Sequence, residues 1–120
     1  MKNILVVDDY AVTRRLLEHI LELGNYTTYM AANGVEALAI LAEENIDLVI
    51  CDIAMPGMDG LTLLRRLRAE AGYEAIPVLM LTASGQDEDR IAALEGGATD
   101  FLTKPVGTAD LLAIVQRLLG

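Results

Sequence analysis

The sequence lacks the features that mark secreted, membrane-spanning or nucleic-acid-binding proteins. Cys51 is its only cysteine, so no internal disulfide can form, which is typical of a reducing compartment. No apolar run approaches the roughly 20 residues that cross a bilayer, and the N-terminus lacks a signal-peptide layout. The net charge of −9 argues against direct binding to nucleic acid. We therefore expect a cytoplasmic protein with no membrane or nucleic-acid contact of its own.

Aromatic residues are also scarce, because the chain has no tryptophan and a single phenylalanine. Aliphatic side chains must build the core, and hydrophobic residues make up 53% of the sequence. A chain of 120 residues can bury such a core without disulfides or metals as staples. No linker, repeat or low-complexity segment divides it, so we assign residues 1–120 to one domain.

Apolar, strand-like runs alternate with segments of helical periodicity along the chain. The predicted strands are 4–7, 27–31, 47–51, 78–81 and 100–103. The predicted helices are 13–23, 35–44, 61–70, 86–95 and 109–119, with Asp59 and Thr108 as N-caps of the third and fifth. This alternation indicates βαβ units with right-handed crossovers. We expect a parallel five-stranded sheet covered by helices, that is, a three-layer α/β sandwich.

Periodicity also predicts which helical side chains face the core. We expect five leucines and one valine of the second and third helices to point inward: Val35, Leu38, Leu41, Leu61, Leu64 and Leu67. We expect three arginines of the third helix to face water: Arg65, Arg66 and Arg68. The last helix has more apolar residues than one core-facing stripe needs: Leu111, Leu112, Ile114, Val115, Leu118 and Leu119. That surplus predicts an exposed apolar patch on this helix.

Four predicted strands end in a chemically reactive residue. The ends are Asp8 and Asp9 after the first strand, Asp52 after the third, Thr82 after the fourth and Lys104 after the fifth. The carboxyl ends of parallel strands lie along one edge of a sheet, where open α/β sheets place their chemistry. If the first and third strands are neighbours, the three carboxylates converge in one crevice.

Charge indicates what such a crevice would bind. Three carboxylates outweigh one ammonium, and like charges repel strongly in a partly desolvated cleft. A hard divalent cation relieves this repulsion, and oxygen ligands suit Mg²⁺, for which Mn²⁺ is an acceptable substitute. The site can then admit an anion, whose oxygens a threonine hydroxyl and a lysine ammonium can hold. Asp52 is suited to act as a nucleophile that forms an aspartyl phosphate.

The motifs that carry these residues resemble those of the receiver domains of two-component response regulators, the family of the chemotaxis response regulator. They are VVDD at 6–9, CDIAMPGMDG at 51–60, LTAS at 81–84 and GGATDFLTKP at 96–105. In this order and on these elements, they are highly specific. The resemblance covers essentially the whole chain and implies a flavodoxin-like fold with strand order 2-1-3-4-5.

The resemblance implies a phosphoacceptor and a metal site. Asp52 would accept the phosphoryl group. Asp9 would bind Mg²⁺ directly and Asp8 largely through water, and the main-chain carbonyl of Ala54 would be a further ligand. The side chains of Ala54 and Ser84 would lie beside the path of attacking water and set the lifetime of the phosphorylated state. Because Ala54 cannot orient that water, we expect modest intrinsic dephosphorylation.

The resemblance also implies a switch and partners. Lys104 would pair with the phosphoryl group, and its peptide bond to Pro105 would be cis. Thr82 would move to bond a phosphoryl oxygen, and Phe101 would follow it inward. The donor would be a sensor histidine kinase or phosphotransfer protein that docks on the first helix and the last βα loop, at Val12, Thr13, Leu16, Pro105 and Val106. The fourth helix, fifth strand and fifth helix would form the output face, for a homodimer or an effector domain.

Three other hypotheses remain open. A haloacid-dehalogenase-type phosphohydrolase needs a second acid two residues after its nucleophile, where this chain has Ala54. A flavin-binding module needs a phosphate loop after the first strand, where Asp8 and Asp9 would repel phosphate. A receiver-like binding or dimerisation module would keep the fold without being phosphorylated. We expect no enzymatic activity beyond self-phosphorylation and slow autodephosphorylation.

Overall fold

Strands and helices alternate five times along the part of the chain that the computed structural model describes, residues 1–55, 57–83 and 87–120. The strands are β1 (Asn3–Val7), β2 (Thr27–Ala31), β3 (Leu48–Asp52), β4 (Val78–Thr82) and β5 (Asp100–Thr103). The helices are α1 (Ala11–Leu23), α2 (Gly34–Glu43), α3 (Gly60–Ala69), α4 (Asp87–Glu95) and α5 (Thr108–Leu119). All strands are parallel, in the order β2-β1-β3-β4-β5, which confirms the predicted fold class. Among the described helices, none has the length and hydropathy to cross a membrane.

Each face of the sheet has its own hydrophobic core. Successive strand residues point to opposite faces, so Leu5 and Val7 pack beneath α2, α3 and α4, while Ile4 and Val6 pack beneath α1 and α5. Both faces are covered, and every residue of β3 and β4 is buried. This is why these strands are continuous apolar runs and do not alternate with polar residues.

The strand register brings the reactive strand ends to one edge. β1 is hydrogen-bonded to β3 with Val7 opposite Cys51, so Asp8 and Asp52 follow as the next residues of the two strands. Thr82, at the end of β4, lies opposite Thr103 at the end of β5. The first and third strands are therefore neighbours, which is the condition under which the three carboxylates converge.

The predicted inward face of the second helix was wrong in part. Val35 is 68% exposed, and the buried residues of α2 are Gly34, Ala37 and Leu41. The helix begins one residue earlier than predicted, because the Asn33 side chain accepts a hydrogen bond from the Glu36 amide and caps it. The core-facing stripe of α2 runs through positions 34, 37 and 41, and Leu38 is half-buried against the same core.

The third helix has the predicted Asp59 cap, but it begins at Gly60 and not at Leu61, and it differs from the prediction at Arg68. Asp59 caps it by accepting a hydrogen bond from the Thr62 amide at 2.8 Å. Leu63 is buried with Leu64 and Leu67, while Leu61 is only half-buried. Arg68, predicted to face water, is instead half-buried.

The Arg68 guanidinium ties two loops together. It donates to the carbonyl oxygens of Gly97 at 2.8 Å and Ile76 at 2.7 Å, with longer bonds to those of Tyr73 and Glu74. Burial lowers its pKa. The five donors of a planar guanidinium suit such a set of main-chain acceptors, so Arg68 has a structural role that helix periodicity did not reveal.

The last helix corrects two predictions. Gly107 is the N-cap residue and none of the described side chains caps the helix, so Thr108 is its first residue and not its cap. Leu111 and Val115 are fully buried, and the other four apolar residues are half-buried against the core beneath α1 and α5. The predicted exposed patch on this helix is therefore wrong. Exposed apolar side chains lie instead on α1 (Val12, Leu16, Leu23) and α4 (Ile91, Leu94).

Candidate functional site

Three carboxylates meet where β1 and β3 end. Asp8, Asp9 and Asp52 each offer an oxygen atom, and these atoms lie within 4.8 Å of one another. Asp8 is completely buried and Asp52 nearly so, whereas Asp9 is exposed. The crevice is thus walled by protein on its Asp8 and Asp52 sides and reached from solvent past Asp9.

Asp8 has one satisfied oxygen and one that lacks a partner. Its Oδ1 accepts a hydrogen bond from the Tyr10 amide at 2.9 Å. Its buried Oδ2 has no hydrogen-bond partner among the described residues and lies 3.6 Å from Nζ of Lys104. Burial raises the pKa of Asp8, and the charges of Asp52 and Asp9 add to the increase, although the Tyr10 amide and Lys104 oppose it. An unsatisfied buried carboxylate oxygen among other acids is what a hard divalent cation would complete, so the residues fit Mg²⁺.

Lys104 follows the edge strand β5, and its side chain reaches the acids at the ends of β1 and β3. Its Nζ donates to Oδ2 of Asp52 at 3.0 Å, and its main-chain amide donates to the Thr82 carbonyl at 2.7 Å. Burial acts to lower the pKa of Lys104, but the hydrogen bond to Asp52 and the charges of Asp52 and Asp8 outweigh it, so the pKa is raised. The side chain is therefore a fixed positive charge. The peptide bond between Lys104 and Pro105 is cis.

The hydroxyl of Thr82 is turned toward β5. Thr82 is completely buried, and its Oγ1 lies 3.5 Å from the Leu102 carbonyl oxygen and 3.5 Å from Oγ1 of Thr103. Phe101 lies on β5 and is half-buried against the core beneath α2, α3 and α4. The structure thus places Thr82 at the sheet edge with the acids and Phe101 on the α4 side.

Two arginines near these residues were missed by the sequence analysis. Arg14 on α1 donates to the main-chain oxygen of Asp8 at 2.7 Å, which fixes the backbone beside the clustered acids. The guanidinium carbon of Arg90 on α4 lies 4.9 Å from the centroid of the Phe101 ring. Both contacts join different elements, so no local sequence signal reveals them.

The loop after β3 is held close to the site by a glycine. The Gly60 amide donates to the Ile53 carbonyl at 3.0 Å, and a Cβ on Gly60 would collide with the main-chain oxygen of Asp52. In the same loop, the Ala54 amide donates to Oδ1 of Asp52 at 3.3 Å, and the residue is exposed. Ser84, the other residue expected to affect lifetime, lies outside the described residues.

An apolar groove lies beside Lys104. Its volume is about 420 Å³, and it is lined by α1 and the loop after β5, including Thr13, Leu16, Pro105 and Val106. Val12 and Leu16 of α1 are 62% and 52% exposed. An exposed apolar surface therefore lies next to the charged crevice.

Comparison with known proteins agrees with this geometry. A family model described as the response regulator receiver domain matches residues 4–116. The transcriptional regulatory protein ResD of Bacillus subtilis is 42% identical over 117 residues, which are 98% of this chain and 48% of ResD. The response regulator PleD of Caulobacter vibrioides is 44% identical over 116 residues, 97% of this chain and 26% of PleD. The chain thus spans about half and about a quarter of these two relatives.

A solved structure agrees equally well over its full length. The chemotaxis protein CheY4 of Vibrio cholerae has a TM-score of 0.93 and 35% identity, with 99% of each chain covered. The match covers nearly the whole of both chains, so it supports the receiver fold as a whole. The chain belongs to the family of response-regulator receiver domains.

Proposed function

We propose that Asp52 accepts a phosphoryl group from a phosphohistidine in a Mg²⁺-dependent reaction. The observation that carries this proposal is the convergence of Asp8, Asp9 and Asp52 within 4.8 Å, with Nζ of Lys104 at 3.0 Å from Asp52. The buried aspartate is the nucleophile for phosphoryl transfer. The lysine, together with a Mg²⁺ ion held by the clustered acids, would supply the charge balance.

The chemical step is a displacement at phosphorus. A carboxylate oxygen of Asp52 attacks the phosphorus atom, and a P–O bond forms as the P–N bond to the donor histidine breaks. The electron pair of that bond goes to the imidazole nitrogen, and a ring protonated on its other nitrogen departs as neutral imidazole. Lys104 is placed to follow the negative charge from Asp52 to the phosphoryl oxygens.

Asp8, Asp9 and Asp52, with the main-chain carbonyl of Ala54, would hold the Mg²⁺. The metal, when bound, supplies positive charge that offsets the negative charge of the phosphoryl group. Oδ2 of Asp8 supports this assignment, because it is buried beside the other acids and has no hydrogen-bond partner in the part of the chain that the structure describes. Oxygen-only ligands make Mn²⁺ an acceptable substitute.

The donor would be a sensor histidine kinase or a phosphotransfer protein, bound on the groove beside Lys104. Exposed Val12 and Leu16 on α1 and the loop residues Pro105 and Val106 offer an apolar contact for a helical bundle. This surface borders the lysine that contacts Asp52, so a docked histidine would lie near the acceptor.

Phosphorylation would then act on the α4–β5–α5 face, which we name the output face. Thr82 would leave its position near β5 for a phosphoryl oxygen, and Phe101 would turn inward. A partner that prefers the changed face, either a second copy of this chain or an effector domain, would shift the equilibrium and read the signal. The exposed Ile91 and Leu94 of α4 support a contact there.

One experiment tests the acceptor directly. The protein is incubated with Mg²⁺ and acetyl phosphate, and intact mass is measured for a single added phosphoryl group. We expect the addition in the parent protein and its loss in Asp52→Ala or with excess EDTA. Asp59→Ala is the matched control, since this aspartate caps α3 and is not among the three clustered acids. A label that survives Asp52→Ala contradicts the proposal.

A further inference from the structure

The side chain of Arg90 on α4 lies over the ring of Phe101 on β5, with 4.9 Å between the guanidinium carbon and the ring centroid. At this distance a guanidinium is attracted to the negative face of the aromatic ring. The contact joins two elements of the output face and lies apart from the three clustered carboxylates.

We infer that Arg90 is a positioning residue that holds Phe101 in the orientation seen here and thereby opposes the phosphorylated state. The inference rests on the proposed function of Asp52, because it concerns how that function is regulated. It assigns a role to a residue on which the transfer chemistry does not depend.

The surroundings of Arg90 allow such a role. Its Nη1 lies 3.5 Å from Oδ1 of Asp87, one turn earlier on the helix, and its side chain is 45% exposed. The Asp87 side chain is 81% exposed, so this ion pair is strongly screened by water. The Phe101 ring is half-buried, so its contact with Arg90 is less screened.

The position of Thr82 links this contact to the acceptor. Thr82 is fully buried, with its hydroxyl 3.5 Å from two oxygen atoms of β5. If Thr82 moves to a phosphoryl oxygen on Asp52, the space that it leaves admits the Phe101 ring. An inward turn of the ring separates it from Arg90.

Linkage then gives the sign of the effect. An attraction made in only one orientation of Phe101 stabilises that orientation. It must therefore weaken, by the same factor, the binding of any ligand that requires the other orientation. Cation–π contacts at partly exposed sites correspond to about a two- to fivefold effect on an equilibrium. Arg90 therefore sets a threshold for activation without abolishing it.

The single phenylalanine of this chain makes the test direct. Protein labelled with 4-fluorophenylalanine has one fluorine resonance, which reports the environment of Phe101. Spectra are recorded without metal, with Mg²⁺, and through a titration with beryllofluoride, which mimics the phosphoryl group. The variants are Arg90→Gln and Arg90→Lys, and the matched control is Arg66→Gln, which makes the same charge change on an exposed position of α3.

We expect Arg90→Gln to move the metal-free resonance toward its beryllofluoride-bound position and to lower the half-saturating beryllofluoride concentration about two- to fivefold. Arg90→Lys keeps a cation and should lie between the parent and the glutamine variant. Arg66→Gln should match the parent in both measurements. All proteins carry the same label, so its own effect on the ring is common to them.

Two results overturn the inference, and they differ in what else they affect. If the parent is phosphorylated on Asp52 but Arg90→Gln matches it in resonance and titration, the role of Arg90 is wrong and the proposed function stands. If the parent gains no phosphoryl group on Asp52 and its resonance does not change with beryllofluoride, both the proposed function and the inference are wrong.

Discussion

Nζ of Lys104 lies 3.0 Å from Oδ2 of Asp52, although the two residues are 52 positions apart in the chain. The ammonium occupies the position of a counter-ion to the Asp52 carboxylate, and it also lies 3.6 Å from Oδ2 of the buried Asp8. A lysine in this place competes with any other cation for the same carboxylate oxygens. Its contribution can therefore be separated from that of the metal.

Replacing Lys104 by Gln should tighten Mg²⁺ binding. Two unit charges about 4 Å apart at a hydrated site interact by about 1 kcal/mol, which corresponds to roughly a fivefold change in the dissociation constant. Titration calorimetry with Mg²⁺ measures this directly. Lys2→Gln, at an exposed position before β1, is the control with the same change in net charge. A dissociation constant that is unchanged or higher in Lys104→Gln contradicts the competition.

Asp8→Asn should stabilise the metal-free protein at pH 7. The pKa of Asp8 is raised in the folded state, so the folded protein holds this proton more tightly than the unfolded chain does. Ionised Asp8 therefore weakens the fold as pH rises through its folded-state pKa. Removing the unsatisfied buried charge should increase the free energy of unfolding by about 1 kcal/mol in urea titrations with EDTA.

The dependence on pH and on metal checks the sign. The advantage of Asp8→Asn should shrink as pH falls and vanish below the ordinary aspartate value of 3.8, where Asp8 becomes protonated in both states. Added Mg²⁺ should stabilise the parent and not the variant, because only the parent keeps the full carboxylate set. A variant that is less stable than the parent without metal at pH 7 would show that burial of this charge is not the dominant effect.

Substituting Ala54 should change how long the phosphoryl group persists. The residue is exposed and its amide contacts the Asp52 side chain, so Ala54→Asn or Ala54→Glu places a polar group beside the Asp52 carboxylate. We expect the decay rate of the phosphorylated protein to change by about tenfold, on the scale of one positioned hydrogen bond. Intact mass after removal of acetyl phosphate follows the decay. Ala75→Asn, an exposed site before β4, should leave it unchanged.

Arg68→Ala should destabilise the fold without altering the site. The guanidinium donates to carbonyl oxygens of two loops, and its loss leaves them without these partners, for a decrease of about 2 kcal/mol in the free energy of unfolding. Urea denaturation monitored by circular dichroism measures it. Arg66→Ala, an exposed arginine on the same helix, should change stability by less than about 0.5 kcal/mol. Equal effects of the two substitutions would remove the assigned role.

Local sequence patterns predict much of this architecture. Continuous apolar runs such as 48–51 predict strands buried on both faces, and the reactive residues directly after those runs predict an edge that carries chemistry. The existence and order of all ten elements, and the presence of Asp8, Asp9, Asp52, Thr82 and Lys104 at strand ends, followed from the sequence. Element ends moved by one or two residues, because capping contacts such as that of Asn33 decide where a helix begins.

Other features depend on contacts between distant segments. Helix periodicity assigned Arg68 to solvent and the apolar surplus of α5 to an exposed patch, yet Arg68 binds carbonyl oxygens and α5 packs against α1. A periodic pattern describes one helix at a time, whereas burial depends on which element lies opposite. The positions of Asp8, Asp9 and Asp52 at strand ends were thus predicted from the sequence alone. The family resemblance already implied that β1 lies beside β3. That Lys104 lies 3.0 Å from Asp52 and that Arg90 covers Phe101 were decided only by the tertiary structure, because each is a distance between segments that the chain order does not constrain.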